Sequence, residues 1–188
     1  GLVHAAETLP EHVATAAKET HAPHRFLDDL LEAELLARDE RRVRTSLRLS
    51  GLPTGQTLAS FDFAFQPSVE RSRIETLATC AWIRERESLL IQGPPGVGKT
   101  HLAVALGVRA IANGFSVAFH RLEDLLAAFT RDADVSPQRL RQRKHMNTAL
   151  RIIDEVGFEP MTRQEASLFF RLVSYRYGRG SILITTNK

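Results

Sequence analysis

The sequence has almost no cysteine and no long apolar run, and both shortages exclude classes of protein. Cys80 is the one cysteine among 188 residues, so the chain can form no internal disulfide and offers no cysteine-rich zinc site. The seven histidines lack the spacing of metal ligands. No apolar stretch approaches the roughly 18 residues of a membrane span, and the first residues lack the basic start and apolar core of a secretion signal. We therefore expect a cytoplasmic protein without membrane partners.

Lysine is also scarce, whereas arginine is abundant. The chain contains 4 lysines and 21 arginines, with a formal net charge of +3. Arginine suits bidentate contact with phosphate, although the base composition of a genome can produce the same bias. With 43% apolar residues, the chain can bury the core of one medium domain, or of a small domain with an appendage.

The stretch from residue 93 to residue 100 matches the phosphate-binding loop pattern, in which a glycine and four further residues precede Gly-Lys-Ser/Thr. Glycines let successive backbone N–H groups turn inward toward phosphate oxygens. Lys99 can reach the β- and γ-phosphates, and the Thr100 hydroxyl can ligate Mg²⁺. The predicted ATP-binding residues are Gly93, Pro94, Pro95, Gly96, Val97, Gly98, Lys99, Thr100 and His101.

Both flanks of this loop fit the pattern. Residues 88–92 read as a short apolar strand, and helical spacing from Thr100 onward predicts a helix that ends near Gly114. A later strand, residues 149–154, ends in Asp154 and is followed by Glu155. In an alternating strand and helix chain, Asp154 is expected to hold Mg²⁺ and Glu155 to activate the attacking water. The predicted fold is thus an α/β three-layer parallel sheet of the P-loop NTPase type, preceded by a small helical region.

A polar residue closes the last predicted strand. Residues 181–186 form an apolar run that ends at Asn187. Because ligands bind beyond the carboxyl ends of parallel strands, Asn187 can sense the γ-phosphate or position water; the alternative is an ordinary turn residue.

Four further segments carry local predictions. Residues 57–67 place Phe61, Phe63 and Phe65 at alternate positions, which predicts an extended segment with the three rings on one surface, either bordering an adenine or packing in the core. Residues 69–83 read as one helix. Thr162 and Glu165 form a capping box that opens another helix. Near the N-terminus, a loose helix between Pro10 and Pro23 precedes a leucine-rich amphipathic stripe, which either docks a partner or packs on the main domain.

Two basic stretches are candidates for DNA contact. They contain Arg38, Arg41 and Arg42 in the first, and Arg139, Arg141, Arg143 and Lys144 in the second. Such rows can neutralise phosphates without reading bases. A solvated helix face explains each row equally well.

Several segments together resemble one family. These are residues 31–34, 41–42, 52–53, 61–63, 93–103, 153–158, 165–170 and 185–187. The chain is similar to the IstB-like ATPases, AAA+ helpers of insertion-sequence transposition that are related to DnaC-type helicase loaders. The resemblance assigns Lys99 and Thr100 to Walker A, Asp154 and Glu155 to Walker B, and Asn187 to sensor 1. It also implies ATP and Mg²⁺ as cofactors, binding to duplex DNA, a partner transposase and homo-oligomers.

The resemblance divides the chain into a helical region over 1–50, a linker or extended segment over 51–68 and an AAA+ core over 69–188. Family members continue into a further strand and a helical lid with an arginine finger and sensor 2, so we expect a truncated core with weak hydrolysis at most. The alternatives are a helicase loader, an inert nucleotide-binding scaffold and, with no legible acceptor site, a nucleotide kinase.

Overall fold

The computed structural model describes residues 1–131, 147–157 and 160–187. Backbone contacts divide the chain into two compact units, Gly1–Thr45 and Ser46–Lys188. This division falls inside a helix. The three predicted domain ranges stay predictions.

Two helices account for nearly all of the first unit: α1 (Val3–Glu19) and α2 (Pro23–Ser50), whose last turn belongs to the second unit. The expectation of a loose helix confined between the prolines is wrong, because α1 begins before Pro10 and runs through it. Proline inside a helix removes one backbone hydrogen bond, and α1 accommodates that loss within its 17 residues. Thr20, with φ of 53°, ends α1, and its N–H bonds to Ala16 O.

The segment before the sheet turns instead of extending. Asp62 Oδ1 accepts hydrogen bonds from the N–H groups of Ala64 and Phe65, at 2.9 and 3.2 Å. This turn breaks the alternation, so Phe61 is buried while Phe65 is 71% exposed. The prediction of three rings on one surface is therefore wrong for Phe65, because an aspartate side chain competes with extended backbone for these N–H groups.

The predicted single helix over residues 69–83 is also wrong. The structure has α3 (Arg71–Ala78) and α4 (Ala81–Arg84), separated at Cys80, whose φ is 61°. Because a left-handed residue cannot continue a right-handed helix, α3 ends before Cys80 and α4 begins after it. Trp82 Nε1 donates to Leu77 O at 3.0 Å across the break. The Cys80 thiol is buried, and burial raises its pKa.

The central sheet has four parallel strands in the order β1 (Leu89–Gln92), β4 (Ser181–Thr186), β3 (Leu150–Val156) and β2 (Val117–Arg121). Within residues 1–131, 147–157 and 160–187, β1 pairs only with β4, and Leu90 of β1 is 58% exposed. Because all strands run the same way, their carboxyl ends share one edge of the sheet. The residues after β1, β3 and β4 therefore lie close together.

Helices pack on both faces of this sheet. Helix α5 (Lys99–Ala112) lies against the side that carries Ile152: a Cβ on Gly107 would come within 2.8 Å of Ile152 Cδ1. Ile153 points to the opposite face, where it packs with α6 (Leu122–Arg131) and α7 (Arg163–Arg176). Since neighbouring strand residues point to opposite faces, this pair defines three layers, as predicted.

Candidate nucleotide-binding site

The loop between β1 and α5 adopts a curled backbone. Gly96 and Gly98 have φ of 81° and 88°, values that L-residues rarely adopt. Gly98 is the N-cap of α5, so the loop leads directly into the amino end of that helix. Free backbone N–H groups and the helix dipole make such an end a site for phosphate. Lys99 Nζ donates to Pro94 O at 2.6 Å, which folds the lysine across the loop.

Thr100 and Asp154 lie in contact, although 54 residues separate them. Thr100 Oγ1 lies 3.0 Å from both carboxylate oxygens of Asp154. Asp154 is 2% exposed, whereas the loop itself is open to solvent at Pro94, Pro95 and Gly96. A hydroxyl and a carboxylate are the oxygen ligands that Mg²⁺ prefers. The residues present therefore fit a magnesium ion held beside the phosphate loop.

Sequence reasoning gave no role to Thr185. Its Oγ1 donates to Asp154 Oδ1 and accepts from the Glu155 N–H at 3.1 Å. A hydroxyl on β4 reaches the Asp154 carboxylate because β4 and β3 are neighbours in the sheet. One sequence does not reveal the order of the strands, so this role could not be predicted.

Glu155 follows Asp154 but points elsewhere. Its side chain is about half exposed, and its Oε2 lies 3.7 Å from Arg121 Nε at the end of β2. Its φ is 63°, which is unusual for a residue with a side chain. Glu155 thus stands at the rim of the site, free to reach water.

Asn187 directly follows β4 and is half-buried. Backbone pairing connects its strand to the phosphate loop, because Gly93 N–H donates to Thr186 O at 3.3 Å. The structure thus brings Asn187, the loop and Asp154 to one sheet edge. Its assignment as a sensor stays a prediction.

His101 contacts the preceding segment. Its Nε2 lies 2.9 Å from Thr57 O and 3.3 Å from Ser60 Oγ. The Phe61 ring packs edge-on against the imidazole, with ring centroids 5.3 Å apart. Phe61 also belongs to a buried cluster with Ile74 and Leu102, which favours core packing over an exposed adenine platform. The His101 side chain therefore holds residues 57–61 against the start of α5.

The first basic stretch is partly neutralised within the chain. Arg38 and Arg41 lie 3.4 and 3.2 Å from the buried carboxylate of Glu34, and Arg42 lies 2.7 Å from Asp39. All three side chains keep between 38% and 52% exposure. The second stretch, Arg139, Arg141, Arg143 and Lys144, lies outside the described residues.

The family model described as IstB-like ATP binding protein matches residues 1–188. The chain belongs to this family. A putative ATP-binding protein of insertion sequence IS21 from Pseudomonas aeruginosa is 41% identical over 187 residues, which are 97% of this chain and 70% of the relative. Its counterpart in insertion sequence IS5376 of Geobacillus stearothermophilus is 37% identical, over 87% of this chain and 65% of the relative.

Solved structures share the fold of this IstB-like chain. The DnaC helicase loader superposes with a TM-score of 0.57 at 23% identity, over 74% of this chain and 77% of DnaC. The replication initiator DnaA bound to AMPPCP and single-stranded DNA gives 0.57 at 19% identity, over 73% of this chain and 43% of DnaA. The chain therefore has the α/β P-loop NTPase fold of AAA+ proteins, with helices ahead of the sheet.

This chain is an IstB-like ATP-binding protein with the P-loop NTPase fold, and its curated relatives come from insertion sequences. It spans 60% to 70% of the length of the first four curated relatives. In residues 1–131, 147–157 and 160–187, no helix is both long enough and apolar enough to cross a membrane.

Proposed function

We propose that this chain is the ATPase part of a DNA-binding switch that assembles on duplex DNA and helps a transposase use its target. The observation that carries the proposal is the 3.0 Å approach of Thr100 Oγ1 to the Asp154 carboxylate beside a curled phosphate loop. That arrangement supplies ligands for ATP and Mg²⁺ on one sheet edge. The insertion-sequence names of the curated relatives direct the proposal toward transposition.

Each residue in the site has a proposed task. Lys99 and the loop N–H groups bind phosphate oxygens, and Thr100 with Asp154 holds Mg²⁺. When bound, that ion neutralises charge on the phosphates. Glu155, exposed at the rim, accepts a proton from water and orients it. Asn187 follows β4, the strand that separates β1 from β3, and it is proposed to position the same water.

Two substitutions separate binding from hydrolysis. Lys99→Ala removes the phosphate-binding cation and is expected to abolish nucleotide binding and nucleotide-dependent assembly. Glu155→Gln keeps the shape of the side chain but not its basicity, so binding should persist while hydrolysis falls by about 10²-fold or more. Thr76→Ala, an exposed change on α3, is the matched control. Full assembly on DNA by Lys99→Ala would contradict the switch.

DNA binding is proposed to be electrostatic and ATP-dependent. If the protein neutralises six phosphates, for example, its affinity for DNA should fall by roughly 10³-fold when the salt concentration rises from 50 to 200 mM. Replacing Arg139, Arg141, Arg143 and Lys144 by Ala is expected to lower both the affinity and its salt dependence. Replacing Arg38 and Arg41 should have less effect on DNA, because both already contact Glu34. A flat response to salt in the wild type would argue against contact with the phosphate backbone.

The identity of the protein partner distinguishes a transposition helper from a helicase loader. The purified chain is immobilised with ATP and incubated with the transposase of its own insertion sequence and, separately, with a replicative helicase. Retention of the transposase supports the proposal, whereas retention of the helicase alone supports a helicase loader. Analytical ultracentrifugation with and without ATP then tests the proposed homo-oligomer.

A further inference from the structure

Strands β3 and β4 lose their regular register beside Asp154. Ile153 lies opposite Ile184, but Val156 lies opposite Thr186. Two residues of β3, Asp154 and Glu155, therefore face the single residue Thr185 of β4. This is a β-bulge, a feature that commonly redirects side chains next to active sites. The left-handed φ of 63° at Glu155 is part of it.

The Thr185 hydroxyl satisfies both residues of the bulge. It has one hydrogen, which it donates to Asp154 Oδ1. Its lone pair accepts the Glu155 N–H at 3.1 Å. Thr185 is 2% exposed, so water is poorly placed to replace either bond. Because an N–H left without a partner here would be destabilising, this hydroxyl stabilises the unusual backbone at Glu155.

We infer that Thr185 is a positioning residue that orients Asp154 toward the metal and holds Glu155 at the rim of the site. This inference rests on the proposed function, because it gives Asp154 and Glu155 their tasks. Thr100 and Thr185 both contact the Asp154 carboxylate. Thr185 contacts Oδ1, and Thr100 Oγ1 lies 3.0 Å from both Oδ1 and Oδ2, so the bond from Thr185 limits rotation of the carboxylate that faces Thr100. Groups that orient a metal ligand typically change metal affinity or activity by about 10–100-fold.

The test compares Thr185→Val, which keeps the shape but removes the hydroxyl, with Thr185→Ser, which keeps the hydroxyl. Ser181→Ala is the matched control: it removes another buried hydroxyl from β4, one that donates to Trp82 O at 3.4 Å. For each protein, the affinity for a fluorescent ATP analogue is measured with Mg²⁺ and with EDTA. The ratio of the two affinities measures the coupling between metal and nucleotide. Thermal melting of each protein is recorded alongside.

We expect Thr185→Val to reduce that ratio about tenfold, with its affinity in EDTA unchanged. Thr185→Ser should restore the ratio, and Ser181→Ala should leave it unchanged although it melts earlier. An equal ratio in Thr185→Val and wild type would overturn the inference and leave the proposed function standing. Equal losses with Mg²⁺ and with EDTA would show a purely structural role and also overturn it. A wild type that binds no nucleotide would overturn the proposed function, and the inference with it.

Discussion

The ring of Phe61 lies directly against the backbone of Gly98. A Cβ added to Gly98 would come within 2.8 Å of Phe61 Cε2. Phe61 in turn packs with Ile74 and Leu102 in a buried cluster and edge-on against Phe63, at 4.8 Å between centroids. The phosphate loop therefore packs against an aromatic side chain from the segment before the sheet. Gly98 thus supplies both a left-handed backbone and the space that the Phe61 ring occupies.

Gly98→Ala should therefore destabilise the protein by more than the strain of an alanine in a left-handed backbone conformation. The φ of 88° disfavours a side chain, by roughly 1–2 kcal/mol, and displacing the Phe61 ring adds about 1–3 kcal/mol. Gly55→Ala is the matched control, since Gly55 has φ of 83° but open space around its Cα. Urea unfolding should show a larger decrease in the free energy of unfolding for Gly98→Ala than for Gly55→Ala. Gly98→Ala should also lose nucleotide binding. Equal losses would show that Phe61 simply moves aside.

His101→Ala is expected to loosen residues 57–61 more than the loop. The imidazole Nε2 must donate to Thr57 O, because a carbonyl oxygen can only accept. Losing this bond, worth about 1 kcal/mol, should speed amide hydrogen exchange in residues 57–61 roughly fivefold. Lys99→Ala, a change in the same first turn of α5 whose side chain bonds to Pro94 O instead, should leave that exchange unchanged. Faster exchange in both variants would point to general loosening of the loop instead.

The site was readable from the sequence where chemistry imposes spacing. The phosphate loop needs glycines at fixed positions, and a strand that ends in Asp154 must meet it if the sheet is parallel; the structure places Thr100 and Asp154 in contact. The capping box of Thr162 and Glu165 was equally local and is confirmed. These predictions succeed because the residues within each motif determine its local geometry.

Two predictions failed where the conformation of one or two residues departs from the pattern around them. Alternation predicted one surface for Phe61 and Phe65, but the Asp62 turn sends Phe65 into solvent. Periodicity predicted an unbroken helix through Cys80, where the backbone is left-handed. Thr185 was missed for a different reason: its role depends on which strand neighbours β3, and strand order is a tertiary property.

A buried glutamate replaces a helix cap in the first unit. Leu2, the N-cap of α1, has no side chain that can bond the first-turn N–H groups. Glu34 of α2 accepts the Ala5 N–H at 2.8 Å instead and is 1% exposed. This hydrogen bond lowers the pKa of Glu34, assisted by the charges of Arg41 and Arg38 and opposed by burial. A carboxylate at this end also suits the α1 dipole.

The pairing of α1 with α2 should therefore weaken in acid. Because the pKa of Glu34 is lowered in the folded unit, the stabilisation is fully present above the unfolded value of 4.5 and is lost as the pH falls through the lower folded value. Amide exchange in α1, corrected for intrinsic rates, should be slower in wild type than in Glu34→Gln at pH 7. The two proteins should converge in acid, below the folded pKa. Glu40→Gln, an exposed change on the same helix, is the control; the idea fails if it matches Glu34→Gln.

Thr162→Ala should destabilise α7 by about 1 kcal/mol, the usual cost of losing an N-cap. Thr162 Oγ1 accepts the Glu165 N–H at 3.3 Å, and Glu165 Oε2 accepts the Thr162 N–H at 2.8 Å. Alanine removes the first bond and the hydroxyl contact that helps to orient the glutamate. Because α7 packs with α6 and Ile153, the loss should appear in the unfolding of the whole sheet domain. Thr162→Ser should restore stability, and Thr76→Ala, which removes an exposed helical hydroxyl, should not reproduce the loss. Similar unfolding midpoints for Thr162→Ala and Thr76→Ala would show that water caps α7 as well as the box does.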